Sequence, residues 1–204
     1  MEKNKTAIIP IDILKAAAIC ASDDPTYYSL NFVCIRKDKV FATNQYVLFE
    51  GENETYSIGD LTEDGILVEA KGLKQLKGRG NAILSMVEGE ERLLRISTTK
   101  GDVYVTWMPE SEVRYPSTNV IHGENLFGRK RVEAAEKGYS IVHLETVMRS
   151  FKALEGMSKN SAFTMETGGY KAGTICTPKQ ERYSEDGTFV DEPSARILIM
   201  PCVY

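Results

Sequence analysis

Few side chains in this sequence have the type and spacing that chemistry needs, and the basic ones are the best placed. Lys71, Lys74 and Lys77 recur at every third residue of KGLKQLKG, Arg79 follows, and Leu73 and Leu76 fall between them. A helix with that spacing holds its ammonium groups on one face and its leucines on another, which suits diffuse contact with phosphates. It equally suits a solvated helix face, the ordinary use of a lysine run. Imidazole chemistry has only His122 and His143, and His143 stands at an apolar strand-to-helix junction where it reads as structural. The carboxylates Asp23-Asp24 and Asp60, Glu63 and Asp64 are oxygen donors of the kind Mg²⁺ takes. Both groups lie in turn-rich segments where acids are simply solvated, so no metal is expected. Gly78-Arg79-Gly80 follows a helix instead of preceding one and has no Lys-Ser or Lys-Thr partner, so no nucleotide or other cofactor is expected. Trp107 alternates with apolar neighbours and reads as packing.

These groups must be held by elements, and composition limits which. The chain has 204 residues, 42% hydrophobic and 26% charged, with a formal charge of −4. That is a globular chain of one large or two small domains, and its charge argues against a generally basic nucleic-acid coat while leaving room for a local basic face. No run reaches the roughly 18 apolar residues of a membrane span. The start, MEKNKTAIIP, lacks the apolar core of a secretion signal. Cys20, Cys34, Cys176 and Cys202 sit far apart in apolar stretches, as reduced thiols do in a cytoplasmic protein. No metal-binding cysteine spacing occurs.

One unit recurs along the chain. Ile13, Leu14, Ala17, Ala18 and Ala21 fall on one helical face behind Asp12 as N-cap, and the helix ends by Asp23-Asp24-Pro25. Strands follow at 27–35 and 40–51 around a polar turn at 36–39. The order returns with a strand at 65–70, a short helix at 71–78, and strands in NAILSMVEG, RLLRISTT and DVYVTWM. It returns again with YSIVH at 139–143, a helix carrying Leu144, Val147, Met148, Phe151 and Leu154 on one face, then SAFTMETGG, YKAGTIC and RILIMPCVY. Three β-α-β-β-β units result, at about 6–59, 60–121 and 138–204. The expected fold class is α+β, with helices on one side of an extended antiparallel sheet. Residues 1–121 form a complete domain, 122–137 a charged connector and 138–204 a half domain. Residues 177–195 are expected to be a disordered polar loop.

Six segments, in order, resemble the bacterial DNA polymerase III beta sliding clamp: YYSLNF (27–32), FATNQYVLFE (41–50), ILVEAKGLKQL (66–76), RYPSTNVI (114–121), SIVHLETVMRSFKAL (140–154) and RILIMPCVY (196–204). They resemble that family's middle domain followed by the second half of its last domain. The resemblance implies a DNA-clamp-like fold and a non-enzymatic role, in which helices face duplex DNA and an outer pocket holds peptides of a DNA polymerase. The pocket positions carry over to Leu30, Thr43, Gln45, Tyr46, Val47, Leu48, Pro116, Val120, Leu198, Met200, Pro201, Cys202, Val203 and Tyr204. An apolar cleft with a few polar groups is how short extended peptides are held. The bland alternative is that Leu48, Leu198 and Met200 are ordinary strand core. Where the family carries glycine, histidine and arginine, this chain has Gln45, Tyr46 and Val47, and its terminal arginine and leucine are replaced by Val203 and Tyr204. Two charge-assisted contacts to a partner are thereby lost.

The DNA-facing set implied by the resemblance is Lys15, Lys71, Lys74, Lys77, Arg79, Arg149, Lys152 and Lys159. A ring that slides needs contact with phosphates and none with bases. The family's ring has twelve half-domain units, so three per chain call for a homo-oligomer, with a head-to-tail tetramer first. A clamp loader is implied as a partner. The alternative is a non-encircling regulatory or decoy protein that binds a polymerase, a loader or a true clamp. A short, divergent clamp relative suits a phage or mobile element.

Overall fold

The computed structural model describes residues 6–37, 39–52, 65–116, 144–157, 163–167, 174–178, 182–183, 189–190 and 195–199. The first unit is β1 (Thr6–Pro10), α1 (Ile11–Cys20), β2 (Phe32–Ile35), β3 (Lys39–Thr43) and β4 (Val47–Glu52). The second is β5 (Ile66–Glu69), α2 (Ala70–Leu73), β6 (Asn81–Met86), β7 (Leu93–Thr98) and β8 (Gly101–Pro109). Of the third expected unit, α3 (Leu144–Glu155), β9 (Phe163–Thr167), β10 (Thr174–Pro178), the short β11 (Arg182–Tyr183) and β12 (Phe189–Val190), and β13 (Ala195–Ile199) are described, while its opening strand at 139–143 and the connector at 122–137 lie outside the described residues. Eleven strands form one antiparallel sheet in the order β1-β6-β7-β8-β5-β2-β3-β4-β13-β10-β9. The expected α+β class, with helices against one face of an antiparallel sheet, is what forms. The third unit joins the first directly, because β13 pairs with β4 from Ala195 opposite Gly51 to Ile199 opposite Val47.

Strands β2 to β5 are buried on both faces, which is why they read as apolar runs and not as alternations. Val33, Ile35, Val40, Ala42, Val47, Phe49, Ile66 and Val68 enter a core that also contains Ile13, Leu14 and Ala17 of α1. Phe32, Cys34, Phe41, Leu67, Met108 and Tyr115 make a smaller cluster apart from it. Tyr115 closes that cluster by donating its hydroxyl to the Phe32 carbonyl at 3.3 Å. Beside it Arg36 donates to both carboxylate oxygens of Glu110, Nε at 3.0 Å and Nη2 at 2.6 Å, and lies over the Phe41 ring.

Several local expectations are corrected. The helix α1 starts at Ile11 after Pro10; Asp12 sits inside the first turn and accepts from the Ile13 amide. Residues 25–31 are 3-10 turns kinked at Tyr27 (φ −105°, ψ 60°), not the start of a strand, because Asp24 accepts from the Thr26 amide and Pro25 opens the turn with its φ already helical. The second helix closes after one turn, at Leu73, and continues to Leu76 with i to i+3 bonds. In α3 the residues turned inward are Thr146, Ser150, Ala153 and Leu154, while Val147 and Phe151 are half-buried and Met148 is exposed. Small residues win that face because α3 lies close against the alanine-rich α1. The Ser150 hydroxyl is satisfied within the helix by the Thr146 carbonyl. Part of 177–195 is ordered, as the ladder of β11 with β12. Among the described residues no helix is long and apolar enough to cross a membrane.

Candidate functional site

Two surfaces gather the residues singled out from the sequence. The first is a row across three strands. Register places Thr43 of β3 opposite Leu48 of β4, and Leu48 opposite Leu198 of β13. Their neighbours Ala42, Val47, Phe49, Ile197 and Ile199 all belong to the helix-side core, so the period of two turns the row to the other face of the sheet. Leu48 is 8% and Leu198 1% exposed, and neither belongs to a core cluster. Leu30, at the end of the 3-10 segment, is also buried outside both clusters. Val47 lies on the opposite face from the row, fully inside the helix-side core, and has no surface to offer a partner.

The turn between β3 and β4 frames the row. The Asn44 carboxamide oxygen accepts from the Tyr46 amide at 3.1 Å and the Val47 amide at 2.9 Å, and Thr43 Oγ1 accepts from the Gln45 amide. These bonds hold Gln45 at φ +80°, left-handed backbone that a non-glycine residue adopts only when its surroundings impose it. The turn lifts Tyr46 to 55% exposure. Pro116 is exposed, next to the buried Tyr115. Val120, Met200, Pro201, Cys202, Val203 and Tyr204 lie outside the described residues. Sequence reasoning missed Tyr27 and Tyr28, both exposed beside Leu30, with the Tyr28 ring edge-on to Phe32 at 5.2 Å. The Asp24-Pro25 capping signal was the one that could have found that segment.

The second surface is the helix side. Lys71, Lys77, Arg79 and Lys152 are exposed and Lys15 is half-exposed, while Leu73 and Leu76 are buried as their spacing required. Lys74 and Arg149 are engaged within the chain. Lys74 Nζ is 2.5 Å from Asp23, and Arg149 donates to the Ala21 carbonyl at the end of α1 at 3.2 Å while lying 3.6 Å from Glu145. Arg149 therefore caps a helix C-terminus, where the macrodipole favours a cation. An open groove of about 990 Å³ runs between α1 and α3, with Ile19, Met148 and Phe151 as its apolar lining and Lys15, Asp23 and Lys152 among its charges. Lys159 lies outside the described residues. The acidic pair Asp23-Asp24 is used internally, by Lys74 and by Thr26.

Buried thiols lie beneath both surfaces. Burial pushes Cys20 up to about 12 and Cys176 up to about 11, and burial with the nearby Glu110 carboxylate pushes Cys34 higher still. Such thiols stay protonated and inert. His122, His143, Asp60, Glu63 and Asp64 lie outside the described residues.

No protein-family model matches this sequence, and no curated protein matches it. Solved structures do. The DNA polymerase sliding clamp from Bacillus subtilis matches all of this chain over 66% of its own length, at 13% identity and a TM-score of 0.62. The fold is that of the bacterial sliding clamps. The DNA polymerase III beta subunit from Thermotoga maritima matches all of the chain over 67% of its own, at 11% identity and a TM-score of 0.61. The Helicobacter pylori beta clamp, crystallised with 3,4-difluorobenzamide, gives 12% identity, 68% of its own length and a TM-score of 0.62. The chain thus spans about two thirds of the length of the clamps whose fold it shares.

Proposed function

We propose that this chain is a sliding-clamp-like processivity factor for DNA replication: a homo-oligomeric ring, four chains for twelve units, that surrounds duplex DNA and tethers a polymerase peptide on its outer face. The observation that carries this reading is the separation of surfaces. The basic residues Lys15, Lys71, Lys77, Arg79 and Lys152 accompany the helices, whereas Thr43, Leu48 and Leu198 line up on the other face of the sheet beside a projecting Tyr46. Exposed lysines, with no base-reading element among the described residues, match a protein that must move along phosphates without stopping at a sequence.

The deciding experiment loads the purified protein onto closed circular plasmid with a clamp loader and ATP, then linearises the DNA. Retention on the circle with loss from the linear form is expected. Leu48→Ala and deletion of Val203 and Tyr204 are each expected to weaken a polymerase-derived peptide at the outer row, and unchanged affinity in both removes that row from the reading. A second reading, a non-encircling decoy for a polymerase, a loader or a true clamp, is favoured by the internal use of Lys74 and Arg149, which leaves the helix face less basic than the sequence suggests. Loss from both plasmid forms, with binding to a replication protein, selects it.

A further inference from the structure

We propose that the Tyr115 hydroxyl is a positioning group for the outer row: it stands in place of a missing rung between β2 and β3, holds the two strands apart, and so keeps open the floor on which a partner peptide lies. This rests on the peptide-holding part of the reading above and names the device that shapes that site.

The β2–β3 ladder stops short. Its register sets Cys34 opposite Phe41 and Ile35 opposite Val40 and goes no further, although β3 continues to Thr43 against β4. The Arg36 amide donates to the Lys39 carbonyl at 2.8 Å, so alternation makes 36–39, 34–41 and then 32–43 the hydrogen-bonded positions. The rung due between Phe32 and Thr43 is not part of the ladder. Tyr115 takes its place, since its hydroxyl donates to the Phe32 carbonyl at 3.3 Å and takes a hydrogen bond from the Thr43 main chain. A direct amide-to-carbonyl rung spans about 2.9 Å, whereas one routed through a hydroxyl oxygen spans roughly 5 Å, so the strands stand about 2 Å further apart here than pairing would set them.

That widening falls at the site. Phe32 follows the 3-10 segment that carries Leu30, and Thr43 opens the row that continues through Leu48 to Leu198. A gap at 32–43 therefore separates Leu30 from Leu48, two buried leucines that belong to neither core cluster. Thr43 also carries the turn, because its Oγ1 accepts from the Gln45 amide. One hydroxyl thus fixes both the floor and the base of the turn that projects Tyr46. Tyr115 reaches it from the end of the second unit, where Glu110 takes two hydrogen bonds from Arg36 and pins the segment over the first unit. Burial pushes the Tyr115 hydroxyl well above the ordinary tyrosine range, so it remains protonated and a donor at neutral pH. A tyrosine that only filled the cluster of Phe32, Cys34, Phe41, Leu67 and Met108 would have no need to stand between two main-chain groups able to bond each other.

Tyr115→Phe keeps the ring and removes the oxygen. The Phe32 carbonyl and the Thr43 amide are then free to meet directly, so Tm is expected to stay within about 2 °C of the parent. The affinity for a fluorescein-labelled polymerase-derived peptide is expected to fall about five- to tenfold. A hydroxyl with a merely structural role gives the opposite pattern, because two buried main-chain groups lose their partner and Tm falls while binding is kept. A lower Tm, whatever the affinity, shows that the rung has not closed and overturns the proposal, as does parental affinity at parental Tm. Leu48→Ala, measured with the same peptide, separates this from the reading it rests on. Weaker binding by Leu48→Ala with parental binding by Tyr115→Phe overturns the positioning role alone. Parental binding by both, and by the deletion of Val203 and Tyr204, removes the row itself.

Discussion

Gly72→Ala sets two effects of opposite sign against each other at the point where the shortest helix meets the sheet. Gly72 is in α2, and a Cβ there would lie 2.2 Å from Val105 Cγ1 and 3.1 Å from Val105 Cβ. Ordinary carbon contacts are about 3.5–4.0 Å, so the overlap exceeds roughly 1 Å. Val105 is buried in β8 and, being β-branched, is restricted at χ1, so it cannot swing aside freely. Rotating it off its well costs about 0.5–1.5 kcal/mol, and lifting α2 instead uncovers Leu73 and Leu76, both buried. Overpacking of this kind costs about 1–3 kcal/mol. The gain from replacing a helical glycine by alanine is about 0.5–1 kcal/mol. The clash wins, and a net loss of about 1–2 kcal/mol is expected, or roughly 3–6 °C in Tm for a chain of this size. Urea unfolding of the wild type, Gly72→Ala, Val105→Ala and the double variant measures it. In the Val105→Ala background the new methyl enters the space left by Cγ1, so Gly72→Ala should turn neutral or stabilising, with a coupling of at least about 1 kcal/mol. A single Gly72→Ala variant as stable as wild type, or a double variant that is simply additive, refutes the close approach.

Gln45→Gly should raise stability by about 1 kcal/mol, since it relieves a left-handed φ without removing the Asn44 bonds that shape the turn; a drop in the urea midpoint would mean that the glutamine side chain itself holds the turn. Arg149→Met should cost about 1–2 kcal/mol through the lost bond to the Ala21 carbonyl, whereas Lys152→Met, exposed on the same helix, should leave Tm unchanged and, on the proposed function, reduce the salt dependence of DNA binding by about one charge. Alkaline stability should also fall. Cys20 and Cys176 titrate in the unfolded chain near 9.0 but in the folded protein only near 12 and 11, so the unfolded state loses protons first. Their stabilisation is complete below pH 9 and declines above it, by about 1.4 kcal/mol per pH unit for each thiol, until pH passes the folded values. Urea midpoints between about pH 8 and 11 should show that slope, and Cys20→Ala should shallow it.

What was legible in the sequence follows from what periodicity encodes. Apolar runs at 32–35, 40–43, 47–49 and 66–68 are strands because they are buried on both faces, and no other element hides such runs at that length. The lysine spacing at 71–77 separates exposed from buried positions correctly, since Leu73 and Leu76 are the buried ones. The failures are of two other kinds. The 3-10 segment at 25–31 contains Tyr27, Tyr28 and Leu30, apolar enough to pass for a strand, and is decided instead by one capping carboxylate and one proline. On α3 the rule of large apolar residues inside fails where two helices approach closely, and Thr146, Ser150 and Ala153 take the positions that periodicity assigns to Val147 and Met148. The contacts of Lys74 with the Asp23 carboxylate and of Arg149 with the Ala21 carbonyl are not legible at all. They depend on which helix ends meet in space, 51 and 128 residues apart in the chain.

The way β13 joins the sheet ties these observations together. Two units complement each other, because β1 of the first pairs with β6 of the second and β5 of the second with β2 of the first, each lending its opening strand to its mate. The third attaches instead to the edge that the first unit offers, β4. The two edges are therefore used differently, since β4 takes β13 along Val47–Gly51 whereas β8 takes β5 only from Trp107 to Pro109. Among the described residues β4 thus lies between two strands along most of its length, while β8 before Trp107 pairs with β7 alone.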